Sequence, residues 1–279
     1  MMIAKFIAVA AVFTLTIASS TGQTKAAEAA TAPPKMLVLV YQRFSFDKAS
    51  DREEWELAMT RACQNLALPN SWIMLQAVSG EPEALSFDAF ESFAAMEKPG
   101  AEWGAIYAAH PELARLQAQI NAALTSQRNV IAVRRDDLSY RQNRIDLSKA
   151  RFLRIVEVRL HPGREKEFAA ALQELSAAYE KIDSLPWVVY EVNLGMPSPT
   201  FLALVPMTAL GQNDDFLKSQ AESESAMQQM AREAYERVES NLYSVRPDQS
   251  HVSKEFAAGD PEFWTPKPQV TAAPERKSD

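Results

Sequence analysis

PWVVYEVNLGMP, residues 186–197, occurs in this chain as the second of two versions. NSWIMLQAVSGEP, residues 70–82, can be laid on it without a gap, so that Trp72 falls on Trp187, Gly80 on Gly195 and Pro82 on Pro197. Each version is a short run rich in β-branched and aromatic residues that ends in a Gly-x-Pro turn, the pattern of a strand and its exit. One strand written twice predicts a duplicated unit.

The flanking sequence extends the match. Before the first version stand MLVLVYQRF (36–44), a β-rich run, and DREEWELAMTRACQNL (51–66), with Trp55, Met59, Ala62, Cys63 and Leu66 at helical spacing. After it come ALSFDAFE (84–91), a helical stretch over about 102–127 and NVIAVRRD (129–136). The second half repeats the order. RFLRIVEVRL (151–160) is a strand, HPG (161–163) a turn, and REKEFAAALQELSAAYEKI (164–182) a helix with Phe168, Leu172, Leu175 and Tyr179 on one face. TFLALVPM (200–207), a helix over 214–240 and NLYSVRPD (241–248) complete it, and Val133-Arg134-x-Asp136 matches Val245-Arg246-x-Asp248 at the close. Two tandem βαββαβ, ferredoxin-like units are expected, over 33–137 and 151–252, with a polar connection at 138–150 and an irregular tail at 253–279. Phe263 and Trp264 are the residues that could dock that tail.

The first 32 residues have the layout of a secretory signal: Lys5, an apolar run from Phe6 to Ala18 too short to span a bilayer, and A-x-A sites ending at Ala29 and Ala32. Export to the periplasm or the extracellular space is the expectation. Loss of that segment moves the net charge from −7 to −8. An acidic chain without a Lys/Arg run is a poor nucleic-acid binder. Cys63 is the only cysteine, so no intramolecular disulfide can form and the fold must hold by burial. The chain carries no G-x-G-x-x-G, no P-loop, no H-E-x-x-H and no G-x-S-x-G, which removes the commonest nucleotide, zinc and hydrolase signatures.

A strand followed by HPG and an amphipathic helix, as in RIVEVRLHPGREKEFAAAL, resembles the dimeric α+β barrel superfamily, with NIPSNAP-like, EthD-like and antibiotic-biosynthesis-monooxygenase-like domains nearest in look. The resemblance covers about residues 36–248. It implies two ferredoxin-like sheets closed into one barrel with the helices outside, here within one chain, as a monomer or weak homodimer. It also implies three functional alternatives: a binding protein that holds a small apolar or aromatic molecule between the sheets, a cofactor-independent or haem-linked oxygenase, and a non-catalytic interaction module. Some relatives carry a haem-ligating histidine inside the second helix, where this chain has none, so no cofactor is predicted and haem is the lesser expectation.

Strand alternation supplies candidate site residues. Val188, Tyr190, Val192 and Leu194 share one face of their strand and are expected under helices, while Trp187, Val189, Glu191 and Asn193 face the barrel interior. The first-half counterparts facing inward are Trp72, Met74, Gln76 and Val78, joined by Gln42, Phe44, Glu157 and Arg159, with Arg134 and Arg246 entering from the last strands. The pocket candidates are Trp72, Gln76, Arg134, Glu157, Arg159, Trp187, Glu191, Asn193 and Arg246. The set reads either as a structural Glu–Arg network or as a polar lining for a ligand. Of the three histidines, His110 reads as a helix-entry residue, His161 as a turn residue, and His251 as lying just past the last strand. No metal site is expected.

Overall fold

The computed structural model describes residues 31–182, 184–215, 217–218 and 233–265. Eight strands form it: β1 (Met36–Phe44), β2 (Trp72–Ala77), β3 (Glu83–Phe90), β4 (Leu124–Arg134), β5 (Phe152–Leu160), β6 (Val188–Leu194), β7 (Thr200–Met207) and β8 (Tyr235–His251). They close into one barrel in the order β1-β3-β2-β8-β5-β7-β6-β4, antiparallel throughout. The order divides into two blocks, β4-β1-β3-β2 and β8-β5-β7-β6, which meet where β2 pairs with β8 and β6 with β4. Closure leaves no free sheet edge.

The helices lie outside: α1 (Ala49–Asn65), α2 (Phe93–Ala109), α3 (Pro111–Ala123) and α4 (Glu165–Ile182), with two short ones, α5 (Lys254–Ala257) and α6 (Pro261–Trp264), near the end. Among the described residues no helix is long and apolar enough to cross a membrane. The single helix expected over 102–127 is two. His110, the residue before Pro111, sits at φ −129°, ψ 76°, because a following proline disfavours the helical region. The expected helix over 214–240 is cut short, since β8 begins at Tyr235; residues 216 and 219–232 lie outside the described set. Residues 1–30, most of the expected leader over 1–32, lie outside it too.

The face assignment from sequence is inverted on β6, β2, β1 and β8, where Tyr243 and Val245 face the lumen and Arg246 faces out. The lumen takes Val188, Tyr190 and Val192, together with Leu37, Leu39, Ile73, Leu75, Leu85, Phe87, Val130, Leu153, Ile155, Leu202 and Tyr243. Trp187 and Val189 instead pack under α4 against Phe168, Leu172 and Tyr179. The physical reason is enclosure. Eight strands shut the lumen off from water more completely than one helix covers an outer face, so the uniformly apolar side turns inward and the mixed side turns out. On β5 and β4 the expected direction agrees: Glu157 alternates with Leu153 and Ile155, and Arg134 with Val130 and Ala132.

Of the segment expected to be an irregular tail, residues 253–265 are described, carry two short helices and close one end of the lumen. Phe256 and Trp264 join the lumen cluster with Ile145, Leu147 and Ala150. Trp264 Nε1 donates to the Ser148 carbonyl at 2.8 Å, and Arg151 pairs with Asp260 at 2.5 Å while lying 3.7 Å from the centre of the Phe263 ring.

Candidate functional site

Apolar side chains from both blocks pack the lumen. A cavity lies on the other side of the first block, between the outer sheet face and α1, α2 and α3, with a volume of about 280 Å³. Gln42, Ser86, Asp88, Trp72 and Met74 form its floor from β1, β3 and β2, and Gln249 closes it from β8. Helix α1 contributes Glu56, Met59 and Thr60, α2 contributes Trp103 and Tyr107, and α3 contributes Gln117 and Ile120. Sheet alternation places Ser86 and Asp88 together, and the i, i+3, i+4 spacing of α1 does the same for its three residues.

Three rings run along the wall. Trp72 and Trp103 are 6.4 Å apart between centroids and inclined at 48°, while Trp103 and Tyr107 are 5.3 Å apart at 30°. The β8 backbone holds the first of them. β8 bulges opposite Trp72 and Met74, pairing Trp72 with His251 but Met74 with Arg246. The extra residues turn the Gln249 carbonyl toward the cavity, where it accepts from Trp72 Nε1 at 2.8 Å and Thr60 Oγ1 at 3.1 Å. A bulge re-aims side chains in this way at many sites.

The donors of the lining are largely spent. The Tyr107 hydroxyl donates to Gln117 Oε1 at 3.2 Å, Gln117 Nε2 to Asn121 at 2.9 Å, and Gln42 Nε2 to Gln127 at 3.3 Å. The carboxyls stand apart. Glu56 pairs with Arg52 at 2.5 Å, both almost fully buried, and burial raises its carboxyl to about 7 against the pull of that arginine. Asp88 has no hydrogen bond or ion pair among the described residues, and burial alone raises it to about 7. No Lys, Arg or His lines the cavity. Two carboxyls near neutrality against aromatic walls, of which Asp88 faces no cation, can accept protons or bind a donor.

Of the nine pocket candidates from sequence, only Trp72 lines this cavity; Gln42 and Met74, expected inside the barrel, line it from the outer face. Gln76 donates to the Glu83 carbonyl at 3.0 Å, beside the β2–β3 turn. Arg246 is on the helix side, bound to Asp248 at 2.9 Å and Glu53 at 2.6 Å. Glu191 pairs with Arg135 at 2.6 Å, and Asn193 is exposed. Arg134 bonds the Pro33 carbonyl and, at 2.7 Å, Asp136. Arg159 pairs with Glu236 at 2.9 Å. Glu157 lies at the lumen end away from the Trp264 plug, where burial first, then Glu239, raises its carboxyl. Nearby the Tyr243 hydroxyl donates to buried Glu83 at 2.6 Å. These groups are spread around the barrel in separate pairs.

Trp187, the counterpart of Trp72, is in a filled site. It stacks at 4.7 Å on Tyr140 and meets Tyr179 edge-on at 5.2 Å, and its Nε1 donates to the Leu138 carbonyl at 3.2 Å. Sequence reasoning missed Asp88 and Glu56. Glu56 carried a signal, because it precedes Met59, Thr60 and Cys63 on the buried stripe of α1 at helical spacing. Asp88 carried none beyond strand alternation. Cys63 is buried, and burial pushes its thiol up to about 11, as an inert core residue requires.

Haem needs an axial ligand, most often histidine. No histidine lines the cavity. His251 is the nearest in the chain path: Nε2 is on the Leu68 carbonyl at 2.9 Å, the ring lies against Trp72, and Nδ1 has no partner. Among the described residues no group of His, Cys, Asp or Glu could hold a metal ion. The lining therefore does not fit a histidine-ligated haem.

No protein-family model matches the chain, and no curated protein does. Solved structures match it in fold. An anthrone oxidase-like protein is 12% identical over 78% of this chain and 93% of its own, with a TM-score of 0.52. A mutant chlorite dismutase from Candidatus Nitrospira defluvii is 9% identical over 80% and 96%, with a TM-score of 0.52. At these identities the likeness is one of fold alone, a closed antiparallel barrel with helices outside.

Proposed function

We propose that this chain is an exported barrel protein whose first-block cavity binds a small aromatic molecule and takes a proton from it, as a cofactor-independent oxygenase does. Residues 33–137 and 151–252 are then two ferredoxin-like units joined by 138–150, and residues 1–32 are the leader that directs export. The observation that carries the reading is Asp88: an unpaired carboxyl raised to about 7 in a cavity walled by Trp72, Trp103 and Tyr107. A general base poised near working pH is the group such chemistry needs. The fold likeness to an anthrone oxidase-like protein is in keeping with it.

The reaction balances without a cofactor. A carboxylate takes the proton of an activated methylene, and the electron pair left on carbon reduces dioxygen, so that the C–H and O₂ become C–OOH. Loss of water then leaves a carbonyl. Dioxygen is the oxidant, and the abstracted proton leaves with the water.

The test is oxygen uptake by the full chain with anthrone as probe, corrected for autoxidation. One O₂ should be consumed per anthraquinone formed, and the double variant Glu56→Gln/Asp88→Asn should be slower by roughly a hundredfold, the usual worth of a general base. Uptake no faster than in buffer, or unchanged in the double variant, would overturn the proposal.

A further inference from the structure

We infer that the natural ligand of this cavity carries an ammonium group, seated between the Asp88 carboxylate and the ring faces of Trp72 and Trp103. The inference deepens the reading of the cavity as the ligand site and depends on it. Hydrogen-bond bookkeeping comes first. Trp72 Nε1, the Thr60 hydroxyl, the Tyr107 hydroxyl and the Gln117 amide all donate to protein acceptors. What remains open to a ligand is the Asp88 carboxyl, an acceptor when ionised, beside the Ser86 hydroxyl and the Trp103 indole N–H. A ligand that engages Asp88 must bring donors.

Charge narrows the class. An anionic ligand would enter a half-buried space with two carboxyls and no basic side chain, an arrangement that leaves buried charge uncompensated. Arg52 does not answer this, because its guanidinium is bound to Glu56 and covers the Phe44 ring at 4.5 Å, beside a neighbouring groove. A cation has the opposite experience. It supplies the charge that Asp88 lacks, and inclined indole rings present their negative faces to it.

The experiment is titration calorimetry of the full chain with three probes of one ring size: 4-hydroxybenzylamine, 4-hydroxybenzyl alcohol and 4-hydroxybenzoate. The amine should bind roughly tenfold more tightly than the alcohol, and the benzoate more weakly than either. In Asp88→Asn the alcohol should keep its affinity, which shows the cavity intact, while the amine loses its advantage. A Trp103→Leu variant should lose part of that advantage with Asp88 in place. Alcohol binding equal to or tighter than amine binding overturns the inference and leaves the cavity assignment standing. So does an amine preference that survives Asp88→Asn. Failure of all three probes to bind overturns both.

Discussion

A half-buried carboxyl without a partner marks stability with a definite sign. The Asp88 carboxyl, ordinarily at 3.8, stands at about 7 in the folded chain, so the folded state holds its proton more tightly than the unfolded state. Its contribution is full below about 4 and is lost as pH rises to about 7. Glu56 moves in the same direction. Asp137 and Asp260 move in the other, because Arg135 and Arg151 bond them, and their contributions disappear only on the acid side. Asp88→Asn should therefore stabilise the chain at pH 7.5 by about 2–3 kcal/mol and hardly at all at pH 4. Urea unfolding at both pH values measures this, and superimposable profiles for wild type and variant would refute it. At this scale the sequence was weakly legible. Trp72 was found because it is duplicated, whereas Asp88 matters only because three helices bury it, and strand alternation does not show that.

The elements were more legible, because their signals are local. Strand runs and the HPG turn survive into the barrel, whereas the faces of β1, β2, β6 and β8 do not. A strand such as Trp187–Leu194 has large apolar residues on both sides, so alternation tells its faces apart without saying which one is the drier. The echoed glycines show how like sequence meets unlike surroundings. Gly80 and Gly195 both sit at positive φ, +84° and +94°, where a side chain is strained. A Cβ at Gly80 would meet the Asn241 side-chain oxygen at 2.5 Å, and that amide can swing away. A Cβ at Gly195 would meet the Asn129 carbonyl oxygen at 2.1 Å, which is backbone of β4 at the junction of the two blocks. Gly80→Ala should cost about 1–2 kcal/mol, the ordinary cost of a left-handed residue. Gly195→Ala should cost about 3–4 kcal/mol, since β4 must retreat as well. Urea midpoints decide it, and equal losses would show that the β6–β7 turn yields as easily as its twin.

At the scale of the whole molecule, two four-strand blocks close one barrel, and distant residues make them unequal. Tyr140 from the connection and Tyr179 from α4 fill the space around Trp187, while Trp72 keeps an open cavity beside it. Which half stays open depends on residues far from either tryptophan, so the repeat cannot announce it. The segment ending in α6 adds a second asymmetry by sealing one end of the lumen. Trp264 is 5% exposed, meets Phe256 and Phe263 edge-on at 5.1 Å, and spends its indole N–H on Ser148. Its removal should behave as a core deletion, with Trp264→Ala losing about 3–5 kcal/mol in urea. Phe263→Ala gives a graded control, because its ring is stacked under Arg151 and is not among the buried core. The cavity under α1, α2 and α3 lies across the sheet from this plug and shares only Trp72 with the space beside it. Below its lowered melting temperature, Trp264→Ala should therefore bind 4-hydroxybenzyl alcohol as the wild type does. An unchanged urea midpoint would show that the plug is not part of the core. A normal loss of stability accompanied by lost binding would show that the lumen and the cavity are coupled through Trp72.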